Sequence, residues 1–236
     1  MILGMIVKQT RAEIAAQPRE KFYSAISAHR TSLICELKMK SPTHPLPFTT
    51  APQEVFNGYL TADIDAISVV TNTHFFGGSI DLVSQARTTG LPVLRKDFII
   101  DPRQIAEVKT DAILLIARIV SLKSLVQLVD ICRHLDIEPV VEVNSPADLE
   151  NALLTSTRVI AVNSRDLQKQ TIDIPQAVAL MDAIPTHYKK LFFSGIRTPE
   201  DVKHVRTAHP DGILVGTSVL EANDRQKLIT LFKEEL

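Results

Sequence analysis

The sequence is poor in the residues that build cross-linked, metal-binding or membrane-spanning proteins. Its two cysteines, Cys35 and Cys132, form no metal-ligand pattern and are typical of reduced thiols in a cytoplasmic protein. No apolar run approaches the ~18 residues that a membrane-spanning helix needs. The start, MILGMIVKQTRAEI, lacks the long apolar segment and the small-residue cleavage site of a signal peptide. We therefore expect a soluble, cytoplasmic protein without a membrane partner.

The sequence also has little net charge and few glycines. The formal net charge is -1, so electrostatics do not favour binding to nucleic acid or to an anionic membrane. Only eight glycines occur, and none forms the G-x-G-x-x-G turn of a dinucleotide-binding sheet. The 236 residues are nevertheless enough to bury a full core, and α/β barrels of this length are often one domain.

From residue 31 onward, short runs rich in Val, Ile and Leu alternate with segments of helical spacing. Such runs are typical of strands that helices cover on both faces. They are SLICELK (32–38), AISVVT (66–71), PVLRK (92–96), AILLIA (112–117), PVVEV (139–143), VIAVNS (159–164), LFFSG (191–195) and GILVG (212–216). Pro102, Pro146 and Pro199 stand at predicted first helical positions. Eight such units predict a (β/α)₈ TIM barrel, with an open doubly wound sheet as the alternative.

The domain organisation follows from this repeat. We expect residues 1–236 to form a single (β/α)₈ barrel domain, because no linker or low-complexity stretch interrupts the pattern. Residues 1–30 precede the first strand and have helical spacing, which predicts an N-terminal helical extension that covers the barrel. In such a barrel the functional residues stand at the C-terminal ends of the strands.

Charged residues stand at the ends of strands one, three and five. Period-two alternation puts Glu36 and Lys38 on one face of the first strand and separates Arg95 from Lys96 in the third. Buried charge is costly unless it is paired or lines a polar mouth, so these residues and Glu142 indicate either an acid–base site or internal ion pairs. An inward lysine among apolar walls can serve as a general acid, and a solvated lysine is the simpler alternative.

The last three strands end in polar turns. Strand six supplies Asn163 and Arg165, strand seven runs into Ser-Gly at 194–195, and strand eight runs into Gly-Thr at 216–217. Barrels often hold a phosphate with the loops after strands seven and eight, where glycine lets backbone N–H groups approach an anion. With the lysines and glutamates, these turns predict a site without cofactor or metal for a phosphorylated, anionic small molecule that undergoes acid–base chemistry.

These strand-end segments resemble indole-3-glycerol phosphate synthase, a family of (β/α)₈ enzymes of tryptophan biosynthesis. The matching segments occur in family order and include ICELKMKSP, ISVVTNTHFFGGS, LPVLRKDFIIDPRQI, AILLIARIV, VVEVNSPADLENAL, IAVNSRDL and ILVGTSVL. The resemblance implies a carboxy-lyase that closes the ring of 1-(o-carboxyphenylamino)-1-deoxyribulose 5-phosphate, with loss of CO₂ and water, to give indole-3-glycerol phosphate. We expect no cofactor, and a monomer or a weak homo-oligomer.

The resemblance also implies roles for individual residues. Lys96 matches the general acid that promotes ring closure, Glu142 the acid/base residue of the dehydration, and Glu36 the carboxylate near the reacting anilino group. Lys38 matches a lysine that contacts phosphate and carboxylate, and Asn163 a polar ligand at strand six. The other substrate-binding matches are Arg165, the phosphate turns Ser194, Gly195, Gly216 and Thr217, and the residues Phe76, Leu114, Ile116 and Leu167 around the aromatic ring.

Phe193 and Met39 depart from the family pattern, which usually has glutamate and a basic residue at these positions. The loop SPTHPLPF also lacks the family's glycine. Loss of one supporting group costs ~10²-fold or less when the main acid and base remain, so we expect the family chemistry at a reduced rate. The alternatives are a weakened or inactive barrel that binds a phosphorylated ligand, a family member with an altered substrate, and a phosphoribosylanthranilate isomerase-like enzyme that uses Cys35.

Overall fold

Eight parallel strands close into a barrel in which every strand pairs with the next and the last pairs with the first. The computed structural model describes Ile2, Met5 and residues 20–26, 30–42, 47–166 and 168–236. The strands are β1 (Ser32–Leu37), β2 (Ala66–Val70), β3 (Val93–Lys96), β4 (Ala112–Ile116), β5 (Glu138–Val143), β6 (Val159–Asn163), β7 (Lys189–Phe193) and β8 (Gly212–Val215). The predicted TIM barrel is confirmed, and the open-sheet alternative is wrong.

Helices follow the strands along the described chain. They are α1 (Lys21–Ala25), α2 (Pro52–Thr61), α3 (Thr73–Phe76), α4 (Ile80–Arg87), α5 (Pro102–Ile105), α6 (Leu122–His134), α7 (Pro146–Leu153), α8 (Ile174–Asp182), α9 (Pro199–Arg206), α10 (Thr217–Glu221) and α11 (Arg225–Glu234), with a 3₁₀ turn at Ala117–Ile119. As predicted, α5, α7 and α9 begin with proline, whose fixed φ and missing N–H suit the first turn.

The strands divide their side chains between two hydrophobic cores. Because successive side chains point to opposite faces, Ile34 lies inside the barrel while its neighbour Cys35 packs outside, between barrel and helices. Leu94, Leu114 and Leu214 also belong to the inner core. Both faces of each strand are therefore buried, which explains the nearly continuous apolar runs in the sequence.

Helix α1 closes the N-terminal end of the barrel. Phe22 and Ile26 are fully buried in the inner core, and Ser32 Oγ donates a hydrogen bond of 2.9 Å to the carbonyl oxygen of Ala25. The guanidinium of Arg158 lies 3.8 Å above the ring of Tyr23. Of the predicted 1–30 extension the structure describes only Ile2, Met5, residues 20–26 with this short helix, and Arg30; the rest of that prediction lies outside the described residues.

Replacement of Phe22 by alanine tests this closure. Phe22→Ala removes a fully buried ring from the barrel floor, and we expect the free energy of unfolding to fall by ~3–5 kcal/mol. Phe75→Ala makes the same chemical change at a residue that is 65% exposed, and we expect a change within ~0.5 kcal/mol. Equilibrium denaturation in urea measures the stability of both variants. Equal losses of stability would contradict the role of Phe22 in closing the barrel.

Candidate active site

One level of the barrel interior carries three titratable side chains. The strands are staggered by about one residue at each step around the barrel, so the register brings Glu36 of β1, Lys96 of β3, Glu142 of β5 and Phe193 of β7 to the same height. Four inward side chains from alternate strands make one layer of a TIM barrel. This layer lies near the C-terminal ends of the strands, where the sequence predicted the site.

Glu36 lies between two lysines. Its Oε1 is 3.0 Å from Lys38 Nζ, its Oε2 is 3.2 Å from Lys96 Nζ, and the residue is 4% exposed. Burial by itself raises the carboxyl pKa, but the two ammonium groups outweigh it and lower the pKa of Glu36 to about 2. Burial lowers the pKa of Lys96, whereas the charge of Glu36 and its hydrogen bond raise it above its ordinary value. Glu36 is therefore ionised, and Lys96 holds its proton.

The turn after β8 is shaped around this pair. A Cβ atom at Gly216 would lie 2.6 Å from Oε1 of Glu36, so only glycine leaves room for the carboxylate. The next residue, Thr217, accepts a hydrogen bond of 2.8 Å from Lys38 Nζ at its Oγ1. The strand-eight turn thus contacts both members of the charged pair from β1.

Glu142 differs from Glu36 in its hydrogen bonding and in the direction of its pKa shift. Its Oε1 accepts a hydrogen bond of 3.1 Å from Asn163 Nδ2, and its buried Oε2 has no hydrogen-bond partner among the described residues. Burial raises the pKa of Glu142 more than Lys96 and the Asn163 amide lower it, so Glu142 holds its proton to higher pH than an ordinary carboxyl group. Because Oε1 accepts from the amide, the proton of the neutral acid belongs on Oε2.

A cavity of about 540 Å³ opens above this layer. On one side stand the aromatic rings of Phe76 and Phe98, whose centroids are 6.2 Å apart. Across the barrel, cationic and polar groups line the wall: Lys38, Arg165, Arg197, Ser194, Gly195, Gly216, Thr217 and Ser218. An anion and an apolar ring can therefore bind at opposite ends of one cavity, with Lys96 and Glu36 at its floor.

The turn after β7 has an unusual backbone. Ser194 and Gly195 have φ angles of 70° and 84°, in the left-handed region that favours glycine. A Cβ atom at Gly195 would also lie 3.0 Å from Ile172 and Ser164. The glycine that the sequence singled out is therefore required by both conformation and space.

The structure brings most of the predicted site residues together. Those that line the cavity are Glu36, Lys38, Phe76, Lys96, Asn163, Arg165, Ser194, Gly195, Gly216 and Thr217. Glu142 lies just beneath the lining, joined to it by Asn163. Leu114 and Ile116 belong to the inner core and are not among the lining residues, and Leu167 lies outside the described residues. The roles assigned to these residues remain predictions.

The two departures from the family pattern occupy different places. Phe193 is 1% exposed and packs in the inner core, below the cavity rather than in its wall. The Met39 side chain packs against the outer core, and its backbone N–H donates to the carbonyl oxygen of Phe76. Residues 43–46 of the loop without glycine lie outside the described residues.

Sequence reasoning missed several lining residues. Phe98 follows Lys96 by two positions, within the segment that carried the strongest resemblance, so its place could have been inferred from the strand end. Arg197 and Ile172 come from loops after β7 and β6, where no periodic pattern indicates which side chains face the cavity.

The isomerase-like alternative depends on Cys35 as a reactive thiol. Its side chain packs in the outer core, on the opposite side of β1 from Glu36, and burial raises the pKa of its thiol. Since the thiolate is the reactive form, the position of Cys35 disfavours the isomerase-like alternative. No helix in the described ranges is long and apolar enough to cross a membrane.

Fold and site together define a (β/α)₈-barrel protein with a protonated lysine, an ionised carboxylate and a buried carboxyl group of raised pKa beneath a cavity lined by cationic and polar groups. The family model described as indole-3-glycerol phosphate synthase matches residues 4–232. The chain belongs to the indole-3-glycerol phosphate synthase family.

Individual relatives agree with this assignment. The protein named indole-3-glycerol phosphate synthase from Petrotoga mobilis is 32% identical, and the alignment covers 100% of this chain and 98% of that protein. The protein of the same name from Campylobacter hominis is 37% identical over 81% of this chain and 76% of its own length. A solved 3-hexulose-6-phosphate synthase superposes with a TM-score of 0.70, covering 87% of this chain and 100% of that one, at 10% identity, which shows the shared fold alone.

The close contact at Gly216 can be tested directly. Gly216→Ala places a methyl group 2.6 Å from Glu36 Oε1, so the carboxylate and its ion pairs to both lysines must shift. We expect the free energy of unfolding to fall by ~1–3 kcal/mol. Gly58→Ala is the matched control, because it lies in α2 with no atom within 4 Å of the new Cβ, and we expect a gain of up to ~1 kcal/mol. Thermal and urea unfolding compare the two, and unchanged stability in Gly216→Ala would contradict the tight packing.

Proposed function

We propose that this protein is an indole-3-glycerol phosphate synthase. It converts 1-(o-carboxyphenylamino)-1-deoxyribulose 5-phosphate into indole-3-glycerol phosphate, CO₂ and water. The observation that carries the proposal is the layer in which Lys96 stands with Glu36 and Glu142 at the floor of a cavity lined by cationic and polar groups. Membership of the family supports the same activity.

The reaction needs two proton donors, and the layer contains two. As the ring carbon that bears the carboxylate bonds to the ketone carbon, the ketone oxygen takes a proton from Lys96. The bond to the carboxylate then breaks, CO₂ leaves, and the electron pair restores the aromatic ring. The new hydroxyl leaves as water with a proton from Glu142, while the neighbouring methylene returns a proton to Lys96. Solvent reprotonates Glu142, so the cycle consumes one proton.

The cavity suits a substrate with charge at one end and a ring at the other. Lys38, Arg165 and the turns at 194–195 and 216–217 hold the phosphate in this proposal, and Phe76 packs on the anthranilate ring. Glu36 balances the positive charge that develops on the anilino nitrogen. Asn163 connects the cavity wall to Glu142.

Phe193 slows this chemistry in our proposal but does not abolish it. Its buried ring stands at the level of the acid–base groups yet outside the cavity lining. The two proton donors and Glu36 all remain, so the cost of the missing supporting carboxylate is ~10²-fold or less.

The activity can be assayed by the fluorescence of the indole product. We expect the purified protein to form product and Lys96→Ala to lower kcat by ~10²–10⁴-fold, because the proton donor for ring closure is lost. Lys123→Ala, an exposed lysine on α6, is the control and keeps full activity. Calorimetric binding of the substrate without product above the Lys96→Ala level would instead favour the non-catalytic, ligand-binding alternative.

The pH profile tests the assignment of Glu142 as an acid. Its pKa is raised above the ordinary 4.5, so its neutral, proton-donating form is lost as pH rises through this raised value. Glu36, with a pKa of about 2, stays ionised above pH 5, and Lys96 stays charged beyond its ordinary range.

We therefore expect kcat between about pH 5 and about pH 10 to fall with rising pH as Glu142 ionises. Glu142→Gln cannot ionise, so its residual activity should lack this decline. A decline of the same shape in Glu142→Gln would show that another group is responsible.

A further inference from the structure

Asp148 is a buried carboxylate outside the cavity. It is 6% exposed in the first turn of α7, and its Oδ2 accepts hydrogen bonds from Arg118 Nε at 3.1 Å and Nη2 at 2.9 Å. The same oxygen accepts a third bond, of 3.0 Å, from the backbone N–H of Asn144. A carboxylate bonded in this way offsets its desolvation and fixes the backbone to which it is attached. Asp148 therefore fixes Asn144 just beyond the end of β5.

The side chain of Asn144 reaches from β5 to β6. Its Nδ2 donates a bond of 2.6 Å to the carbonyl oxygen of Asn163. The ladder between the two strands ends at the pair Val143–Val162, so this side-chain bond stands one step past the last backbone pair. On the β5 side the end of β6 is thus held by a side chain past the last backbone pair, while on its other side Asn163 pairs with Phe193 of β7.

Asn163 connects the end of β6 to the carboxyl group of Glu142 in the candidate active site. Its Nδ2 donates to Glu142 Oε1 at 3.1 Å, and its Oδ1 accepts from the backbone N–H of Arg165 at 3.0 Å. The amide therefore has one orientation, with the N–H₂ group toward the acid. Three hydrogen bonds, joined by the covalent frames of Asn144 and Asn163, thus connect Asp148 to Glu142.

We propose that Asn144 and Asp148 are positioning residues for the Asn163–Glu142 pair. They hold the Asn163 amide against Oε1 of Glu142 and thereby leave the proton on Oε2, aimed for the dehydration step. The inference rests on the proposed function for its effect on kcat. The effect on Glu142 itself does not require turnover.

The direction of the effect follows from the groups around Glu142. Lys96 from β3 and Arg118 from the turn after β4 favour its ionised form, and Glu36 from β1 opposes it. The Asn163 amide also favours the ionised form, because it donates to the carboxylate. When Asn163 is released, Glu142 loses that donor and its pKa rises further.

Asn144→Ala and Ser145→Ala form a matched pair for the test. Ser145 stands in the same turn and accepts the backbone N–H of Asp148 at the start of α7, so its loss weakens that helix cap and spares the bond to Asn163. We expect both variants to lower stability by a similar amount. Only Asn144→Ala lowers kcat, by about tenfold with KM within about twofold, because the transition state and not ground-state binding depends on the alignment.

A second measurement follows the ionisation of Glu142 and does not require turnover. Carbon-13 NMR of glutamate carboxyl groups, with Glu142→Gln identifying the signal, should show the titration of Glu142 at higher pH in Asn144→Ala and unmoved in Ser145→Ala. Asp148→Asn keeps an oxygen for the Asn144 N–H but removes a negative charge beside Arg118, which by itself lowers the pKa of Glu142. Its effect is therefore read from kcat, which we expect to fall by less than in Asn144→Ala, with KM within about twofold.

The outcomes separate the two proposals. If Asn144→Ala matches Ser145→Ala in both kcat and the Glu142 titration, the positioning role is wrong. If Asn144→Ala fails to fold, Asp148→Asn decides the question by kcat and KM: a fall in kcat at nearly unchanged KM supports the positioning role, and an unchanged kcat contradicts it. If the titration of Glu142 shifts as expected in Asn144→Ala but the protein has no synthase activity, the positioning role is supported and the proposed function is wrong.

Discussion

The ion pairs of Glu36 with Lys38 and Lys96 are the interaction on which the top of the barrel depends. A buried carboxylate without a partner costs several kcal/mol, whereas here each oxygen faces an ammonium group within 3.2 Å. This arrangement joins β1 to β3, and through Thr217 it joins β1 to the turn after β8. It also dictates the glycine at 216, because any side chain there would occupy the position of the carboxylate.

The same pairing separates the protonation states of two carboxyl groups in one layer. Glu36 has two cations beside it and a lowered pKa, while Glu142 shares one of them, is deeply buried and has a raised pKa. One layer of side chains therefore supplies a charge, an ammonium donor and a carboxylic acid. Two carboxyl groups with different environments are a common way for one protein to perform both acid and charge-stabilising functions near neutral pH.

Phe193 belongs to the same layer as Glu36, Lys96 and Glu142, and this explains its place in the structure. From the sequence it could be either a core residue or the remnant of a catalytic position, and the structure shows that the position is both inside the core and level with the acid–base groups. The ring fills the layer between β5 and β1 with apolar volume. The following Ser194-Gly195 turn is a separate feature, whose left-handed backbone directs the chain toward α9.

The sequence alone determined the strands, the starts of three proline-headed helices, and the alternation that puts Glu36 with Lys38 and separates Lys96 from Arg95. These are local properties, set by a side-chain period of two and by the backbone limits of proline. Only the tertiary structure decided that Gly216 faces Glu36, that Leu114 lies in the inner core, and that Asn144 holds Asn163. These contacts join residues from different strands, and their distances depend on the stagger of a closed barrel, which no single segment encodes.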